Sequence, residues 1–132
     1  SVGAIGIEAV KAPDSLYKKG VLIAEYDMRY RKPLDDVMLH EIFSQFKGVI
    51  TLEDGVIQGG FGSAVTEWMM EHGYNTTVTR MGIEDKWIEH GTQAELYAEC
   101  GYDAKAVEIK IEEELDRINT ISNSAVNKTQ SA

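Results

Sequence analysis

The stretch VITLEDGVIQGGFGSAV, Val49 to Val65, decides how this chain is read. Its first half is apolar and partly β-branched, as a buried strand requires, and its second half opens onto an apolar stripe of helical period. Between them Gly59, Gly60 and Gly62 place three glycines in four residues. Strand, glycine turn and helix in that order make one unit of an α/β fold. The turn is then either a cradle for an anion or a place where backbone approaches backbone.

The residue types favour close approach. A dinucleotide-binding turn needs G-x-G-x-x-G, and a phosphate loop needs a lysine. The run Gly60-Phe61-Gly62-Ser63-Ala64-Val65 lacks the third glycine, and no lysine follows. Glu53 and Asp54 lie just upstream and would repel an anion at the helix start. Nor do these two acids suit general acid–base work, because adjacent strand residues point in different directions. They are expected to be solvated or to face an interface.

Similar units flank this one. GVLIAEY (Gly20 to Tyr26) is predicted as a strand covered on both faces. Met38, Leu39, Ile42, Phe43 and Phe46 then fall on one helical face, with Asp35 as N-cap and Leu34 placed to staple onto Leu39. Phe61, Val65, Trp68, Met69 and His72 form the stripe of the next helix, which Gly73 ends. TTVTRM (Thr76 to Met81) is a further strand. Thr92 and Glu95 form a capping box, and Gly101 stops that helix. A last helix from about Asp103 buries Val107, Ile111, Leu115 and Ile118, with Glu113 and Arg117 as an outward i,i+4 pair. Pro13 interrupts the first helical pattern. Short connections between alternating strands and helices imply an α/β/α sandwich with a mostly parallel sheet. Residues 1–119 make one domain, and the polar segment 120–132 is expected to be a disordered tail. The opening SVGAIGIEAV starts in mid-pattern, as if a first strand were truncated from a longer chain.

Composition narrows the function. The chain has 132 residues, a formal charge of −9 and 43% hydrophobic residues, which fits one globular domain. So acidic a surface argues against nucleic acid and anionic membrane as partners. Cys100 is the only cysteine, which excludes an internal disulfide and suits the cytoplasm. His40, His72 and His90 are too scattered to predict a metal site. Arg29, Arg31 and Lys32 lie where a strand ends, where a small anion or acidic partner would gather, although a charged strand edge is the simpler reading. Trp87, in the loop before the capping box, suits a groove or interface better than a cofactor. No nucleophile–base pair is visible.

Four segments carry a family resemblance: DMRYRKPLD (Asp27 to Asp35), VITLEDGVIQGGFGSAV, MGIEDKWIEHGTQAEL (Met81 to Leu96) and AECGYDAKAVEIKI (Ala98 to Ile111). In order and spacing they resemble the C-terminal domain of 1-deoxy-D-xylulose-5-phosphate synthases, thiamine-diphosphate enzymes of the transketolase superfamily. The third segment discriminates. Asp85, Ile88, His90, Gly91, Thr92, Gln93, Glu95 and Leu96 resemble the synthases rather than transketolases or pyruvate dehydrogenase β-subunits. The resemblance implies a three-layer α/β/α unit with a five-stranded, mostly parallel mixed sheet. It also implies a cytoplasmic, homodimeric parent enzyme that condenses pyruvate with glyceraldehyde 3-phosphate and releases CO2, for isoprenoid, thiamine and pyridoxal synthesis. Thiamine diphosphate and Mg2+ would be held by N-terminal and middle domains preceding Ser1, leaving no catalytic, cofactor or metal residue here. Glu53, Gly59, Gly60 and Gly62, with Trp87 and His90 added as a weaker expectation, would then face domain or subunit interfaces. The alternatives are the same domain of another transketolase-like enzyme or dehydrogenase β-subunit, and a regulatory module that binds a small anion through Arg29, Arg31 and Lys32.

Overall fold

The computed structural model describes residues 1–3, 5–11, 16 and 23–129, with the backbone alone for 11 and 122–129. In chain order the elements are α1 (Gly6–Lys11), α2 (Asp36–Gln45), β1 (Gly48–Val56), α3 (Phe61–Glu71), β2 (Thr77–Ile83), α4 (Gln93–Cys100) and α5 (Ala104–Thr129). β1 and β2 pair in parallel from Gly48↔Thr77 to Leu52↔Met81, and an irregularity separates Leu52 from Val56, which pairs with Ile83. The βαβ unit read from the glycine stretch is therefore present. Val2 adds a parallel bridge to Glu53. Beyond it, Ser1 donates through its backbone nitrogen to the Tyr26 carbonyl, and the Met28 N–H donates to the Ser1 carbonyl, each at 2.8 Å. That is the hydrogen-bond pattern of a parallel pair.

Strand alternation explains the layers. Val49 and Val78 pack on one cluster, with Leu39 and Phe43 of α2 and Phe61, Val65, Trp68 and Met69 of α3. Ile50, Leu52, Met81 and Ile83 turn the other way, onto Ile5, Tyr102 and Val107. Successive strand side chains point to opposite faces, so one apolar strand supplies both cores. The sandwich is α/β/α, as the periodicity implies.

Most helix ends match their sequence signals. Asp35 Oδ1 accepts the Met38 N–H at 3.0 Å, and Leu34 packs on the cluster that contains Leu39. The Thr92–Glu95 capping box forms in full, and Gly101 closes α4 in the left-handed region at φ 71°. Asp103 Oδ1 accepts the Ala106 N–H at 2.8 Å at the head of α5.

Among the described residues the regular sheet has two strands, β1 and β2. Three expectations need correction. Of the strand predicted over Gly20 to Tyr26, residues 20–22 lie outside the described residues, and Ile23 to Tyr26 form no regular strand, with a ladder bond at Tyr26. Pro13 also lies outside them. Glu113 and Arg117 do not pair with each other. Glu113 meets Lys110 at 2.6 Å, and Arg117 meets Glu114 at 3.5 Å, because i,i+3 partners compete on the same face. The segment from 120 is not disordered up to Thr129, since α5 runs 26 residues without a break. No proline or glycine interrupts it there, so a helix already nucleated on the sheet propagates into polar sequence.

Leu39 is 2% exposed, whereas Val37 on the same helix is 80% exposed. Leu39→Ala is expected to lower unfolding stability by about 2–5 kcal/mol, and Val37→Ala to change it by less than about 0.5 kcal/mol, both read from urea transitions. Hydrogen bonds from Thr92 hold the Glu95 carboxyl below its ordinary value of 4.5. A depressed folded-state value contributes stability above the unfolded value that is lost as pH falls through the folded one. Acidification below about pH 4.5 should therefore loosen the α4 cap first, seen as accelerated exchange of the Thr92 amide in step with protonation of Glu95.

Candidate functional site

The glycine turn is built around a buried carboxylate. Glu53 is 1% exposed. Its Oε2 accepts the Phe61 N–H at 2.7 Å, and its Oε1 accepts the Gly62 N–H at 2.9 Å. The first amides of a helix have no partner inside the helix and carry the positive end of its dipole. Here the chain's own acid occupies them, with Gly60 at the N-cap, where no side chain caps the helix.

The glycines follow from that carboxylate. A Cβ on Gly60 would collide with Glu53 Oε2 and the Val56 carbonyl, and would lie 2.6 Å from Glu53 Oε1. On Gly62 it would strike Thr51 Oγ1 and lie 2.9 Å from Arg80 Cγ. Gly82 of β2, which the sequence reading did not single out, closes the far wall: a Cβ there would lie 2.8 Å from the Gly55 carbonyl and 3.0 Å from Glu53 Cγ. Gly59 differs, with φ at +68° and open space around it. Its role is conformational.

Ser63 and Arg80 lace the turn from outside. Ser63 Oγ donates to the Ile57 carbonyl at 2.9 Å and accepts the Gly59 N–H at 3.1 Å. Arg80 Nη1 donates to Ser63 Oγ at 2.7 Å. The Ile57 N–H reaches the Ile83 carbonyl at 2.9 Å, so the turn is pinned over the end of β2.

Two predicted features change in this geometry. Glu53 is neither solvated nor on a contact surface, because the helix amides draw it inward. Gly60 and Gly62 are likewise buried, leaving Gly59, with its exposed neighbours Val56 and Gln58, as the outer face of the turn. Asp54 is exposed and points towards Tyr102, whose hydroxyl donates to its Oδ1 at 3.5 Å. Burial, helped by Cys100 and Asp54, pushes the Tyr102 phenol above its usual range. The two acids thus face opposite ways, as strand geometry requires.

The remaining candidates stand apart from this cradle. Trp87 is 92% exposed, and His90 is exposed on the same loop; among the described residues neither makes a hydrogen bond or ring contact. Arg29, Arg31 and Lys32 are all exposed and form no ion pair among the described residues.

One cluster was not legible in the sequence. His40 of α2 shares a 2.8 Å hydrogen bond with the Tyr74 hydroxyl, and His72 Nδ1–H donates to the Trp68 carbonyl at 2.8 Å. The His72 ring stacks on Trp68 at 4.0 Å between centroids and stands 5.1 Å from His40. Trp68 Nε1 donates to Asp36 Oδ1 at 2.7 Å. Only the α2–α3 packing brings these rings together. Among the described residues no group of three or more His, Cys, Asp or Glu side chains could hold a metal ion.

The description "Transketolase, C-terminal domain" matches residues 1–107. The chain belongs to the transketolase C-terminal domain family. It is 48% identical over 114 residues to the 1-deoxy-D-xylulose-5-phosphate synthase of Parabacteroides distasonis, covering 86% of this chain and 18% of that protein. The protein of the same name from Bacteroides thetaiotaomicron is 51% identical over 104 residues, 78% of this chain and 16% of that one. The Geobacillus thermodenitrificans protein is 42% identical over 114 residues, 86% and 17%. The chain thus spans less than a fifth of the length of these curated relatives. Among solved structures, a split-gene transketolase described as an inactive β4 tetramer superposes with a TM-score of 0.78 at 29% identity, covering 85% of this chain and 36% of that one.

Enzymes of this superfamily work with thiamine diphosphate, and the helix start that this glycine turn presents does not fit it. A diphosphate needs free donors, whereas the Phe61 and Gly62 amides already serve Glu53, whose negative charge stands where the phosphate would sit. In this transketolase C-terminal domain the turn is a structural joint. Glu53→Ala should therefore strand two buried N–H groups and cost about 2–6 kcal/mol of stability, at about 1–3 kcal/mol for each unsatisfied group. Glu53→Gln, which retains one acceptor oxygen, should cost less; urea unfolding of both variants checks the order.

Proposed function

We propose that this chain is the C-terminal domain of a 1-deoxy-D-xylulose-5-phosphate synthase. Its parent condenses pyruvate with glyceraldehyde 3-phosphate, releases CO2 and supplies isoprenoid, thiamine and pyridoxal synthesis in the cytoplasm. Thiamine diphosphate and Mg2+ belong to the N-terminal and middle domains of that parent, and the present domain packs against them and across a homodimer. The sheet in the parent has five strands, one of them antiparallel. The observation that carries a packing role is the occupied start of α3: the feature that most resembles a ligand cradle is filled by Glu53. The contact face is then Gly59 at the tip of the turn with Trp87 and His90 on the loop before α4. An indole left 92% exposed is the kind of side chain that anchors an interface.

A second reading, a module for a small anion, is favoured by the exposed cations Arg29, Arg31 and Lys32 alone, which form no ion pair among the described residues. Saturable binding of a phosphate ester that Arg31→Ala weakens would support it.

The residues 1–132 alone, supplied with pyruvate, glyceraldehyde 3-phosphate, thiamine diphosphate and Mg2+, should form no 1-deoxy-D-xylulose 5-phosphate, while the full-length protein should; product formed by the isolated chain sinks the reading. In the full-length protein, Trp87→Ala should cost about 2 kcal/mol of subunit or domain association, roughly 30-fold in a dissociation constant. An unchanged constant removes Trp87 from the interface.

A further inference from the structure

Where the chain leaves the C-terminal ends of β1 and β2, its charge is gathered in two separated poles. Side by side and parallel run the stretch from Tyr26 to Met28, Ser1 with Val2, β1 and β2. The two ends of this edge therefore stand three strand spacings apart, about 14 Å. At one end the chain continues through Arg29, Tyr30, Arg31 and Lys32, all exposed. At the other it leaves β2 through Glu84, Asp85, Trp87 and Glu89, exposed as well. The glycine turn stands between them, its outer face formed by Val56, Gln58 and Gly59.

Neither pole is neutralised within the chain. Arg29, Arg31 and Lys32 form no ion pair among the described residues, and neither do Asp85 and Glu89. Lys86, inside the acidic loop, is turned back. Its Nζ donates to the Glu99 carbonyl at the end of α4 at 3.2 Å and lies 3.9 Å from Glu84 Oε2. Each pole also exposes a large aromatic ring, Tyr30 at 74% and Trp87 at 92%. Arginine and aromatic side chains are the types that protein contact surfaces gather.

We propose that this edge is a self-complementary surface whose partner is a second copy of the chain. Two copies that meet head to head about a two-fold axis normal to the sheet reverse the order of the poles. Residues 29–32 of each then face residues 84–89 of the other, with the two glycine turns at the centre. A two-fold axis along the edge would instead set like pole on like pole, which costs several kcal/mol. Arg29 and Arg31 suit the opposing loop twice over, because a guanidinium pairs with carboxylates and stacks on an indole. A partner of one sign would be attracted by one pole and repelled by the other, whereas a second copy presents both. The proposal rests on the reading of Gly59, Trp87 and His90 as a contact face and adds the identity of the partner; it does not depend on the synthase activity.

Sedimentation of residues 1–132 over a concentration series should show a monomer–dimer equilibrium, weakened at least about tenfold as NaCl is raised from about 50 to about 500 mM. Two variants read the poles directly. Arg29→Glu with Arg31→Glu in one chain, and Asp85→Arg with Glu89→Arg in another, should each lower self-association at least about tenfold, since every pole then meets its like. An equimolar mixture of the two should recover a dimer close to that of the unaltered chain, because one junction is exchanged in sign and the other is untouched. All four side chains are exposed, so unchanged thermal unfolding serves as the folding control, and the salt series reads the same contact without any substitution. A chain that stays monomeric overturns the proposal, as does a dimer that ignores both reversals or a mixture that fails to associate. Saturable binding of inorganic phosphate by a monomer, weakened by Arg31→Ala, assigns the cations to a small anion and also overturns it. None of these outcomes touches the synthase reading, which fails only on the full-length protein's lack of product.

Discussion

Glu53 joins two parts of the molecule that would each be unstable without the other. A carboxylate taken out of water is costly unless its oxygens are hydrogen-bonded, and the first amides of a helix are costly to bury without acceptors. The end of β1 and the start of α3 settle both debts in one contact, at 2.7 and 2.9 Å. The backbone must come close to the carboxylate for this to happen, which leaves no room for a side chain at Gly60 or on Gly82 of the neighbouring strand. Ser63 and Arg80 then hold the tip of the turn in place. A segment that resembles a ligand loop in sequence is thereby converted into a rigid joint whose outer face is free to meet another surface.

The same strand organises the two cores. Val49 and Thr51 belong with α2 and α3, Ile50 and Leu52 with α5 and α1, so β1 is enclosed on both sides and must be hydrogen-bonded along both edges to be stable. β2 satisfies one edge. Among the described residues the other is bridged at Glu53 by Val2, and a cavity lies beside it towards Gly48. The distribution of polar groups agrees with this: the orphaned oxygens of Thr51 and Glu114 lie on the walls of the cavity, while the Trp68 indole, equally buried, is fully served by Asp36. The well-packed half of the domain is the βαβ unit with its aromatic layer, in which Phe43, Trp68, His72 and Tyr74 stack between α2 and α3.

In this member of the transketolase C-terminal domain family the exposed Trp87, the exposed cations Arg29, Arg31 and Lys32, and the tip at Gly59 all lie outside the two cores. Nothing among the described residues gathers a nucleophile, a base and an oxyanion donor into one place, and the helix start that might have held an anion is spent on Glu53.

Much of this was legible in the sequence because it depends on short-range chemistry. Apolar period gave the βαβ unit. Asp35, Thr92 with Glu95, and Gly101 marked helix ends, because caps are made by residues within a few positions of each other. The absence of a third glycine and of a lysine ruled out a nucleotide loop. What the sequence did not contain was direction and distance across the fold. It left Glu53 on the surface, because only the tertiary placement of α3 shows that two amides eight and nine residues ahead converge on one carboxylate. It scattered His40, His72 and Tyr74, which share a surface only through helix packing. It ended the last helix ten residues early, because polar composition says little about a helix already anchored at its base. Residues near in the chain determined the elements; the cavity, the buried acid and the ring cluster were decided by contacts between residues far apart in it, and those form only when the sheet brings its layers together.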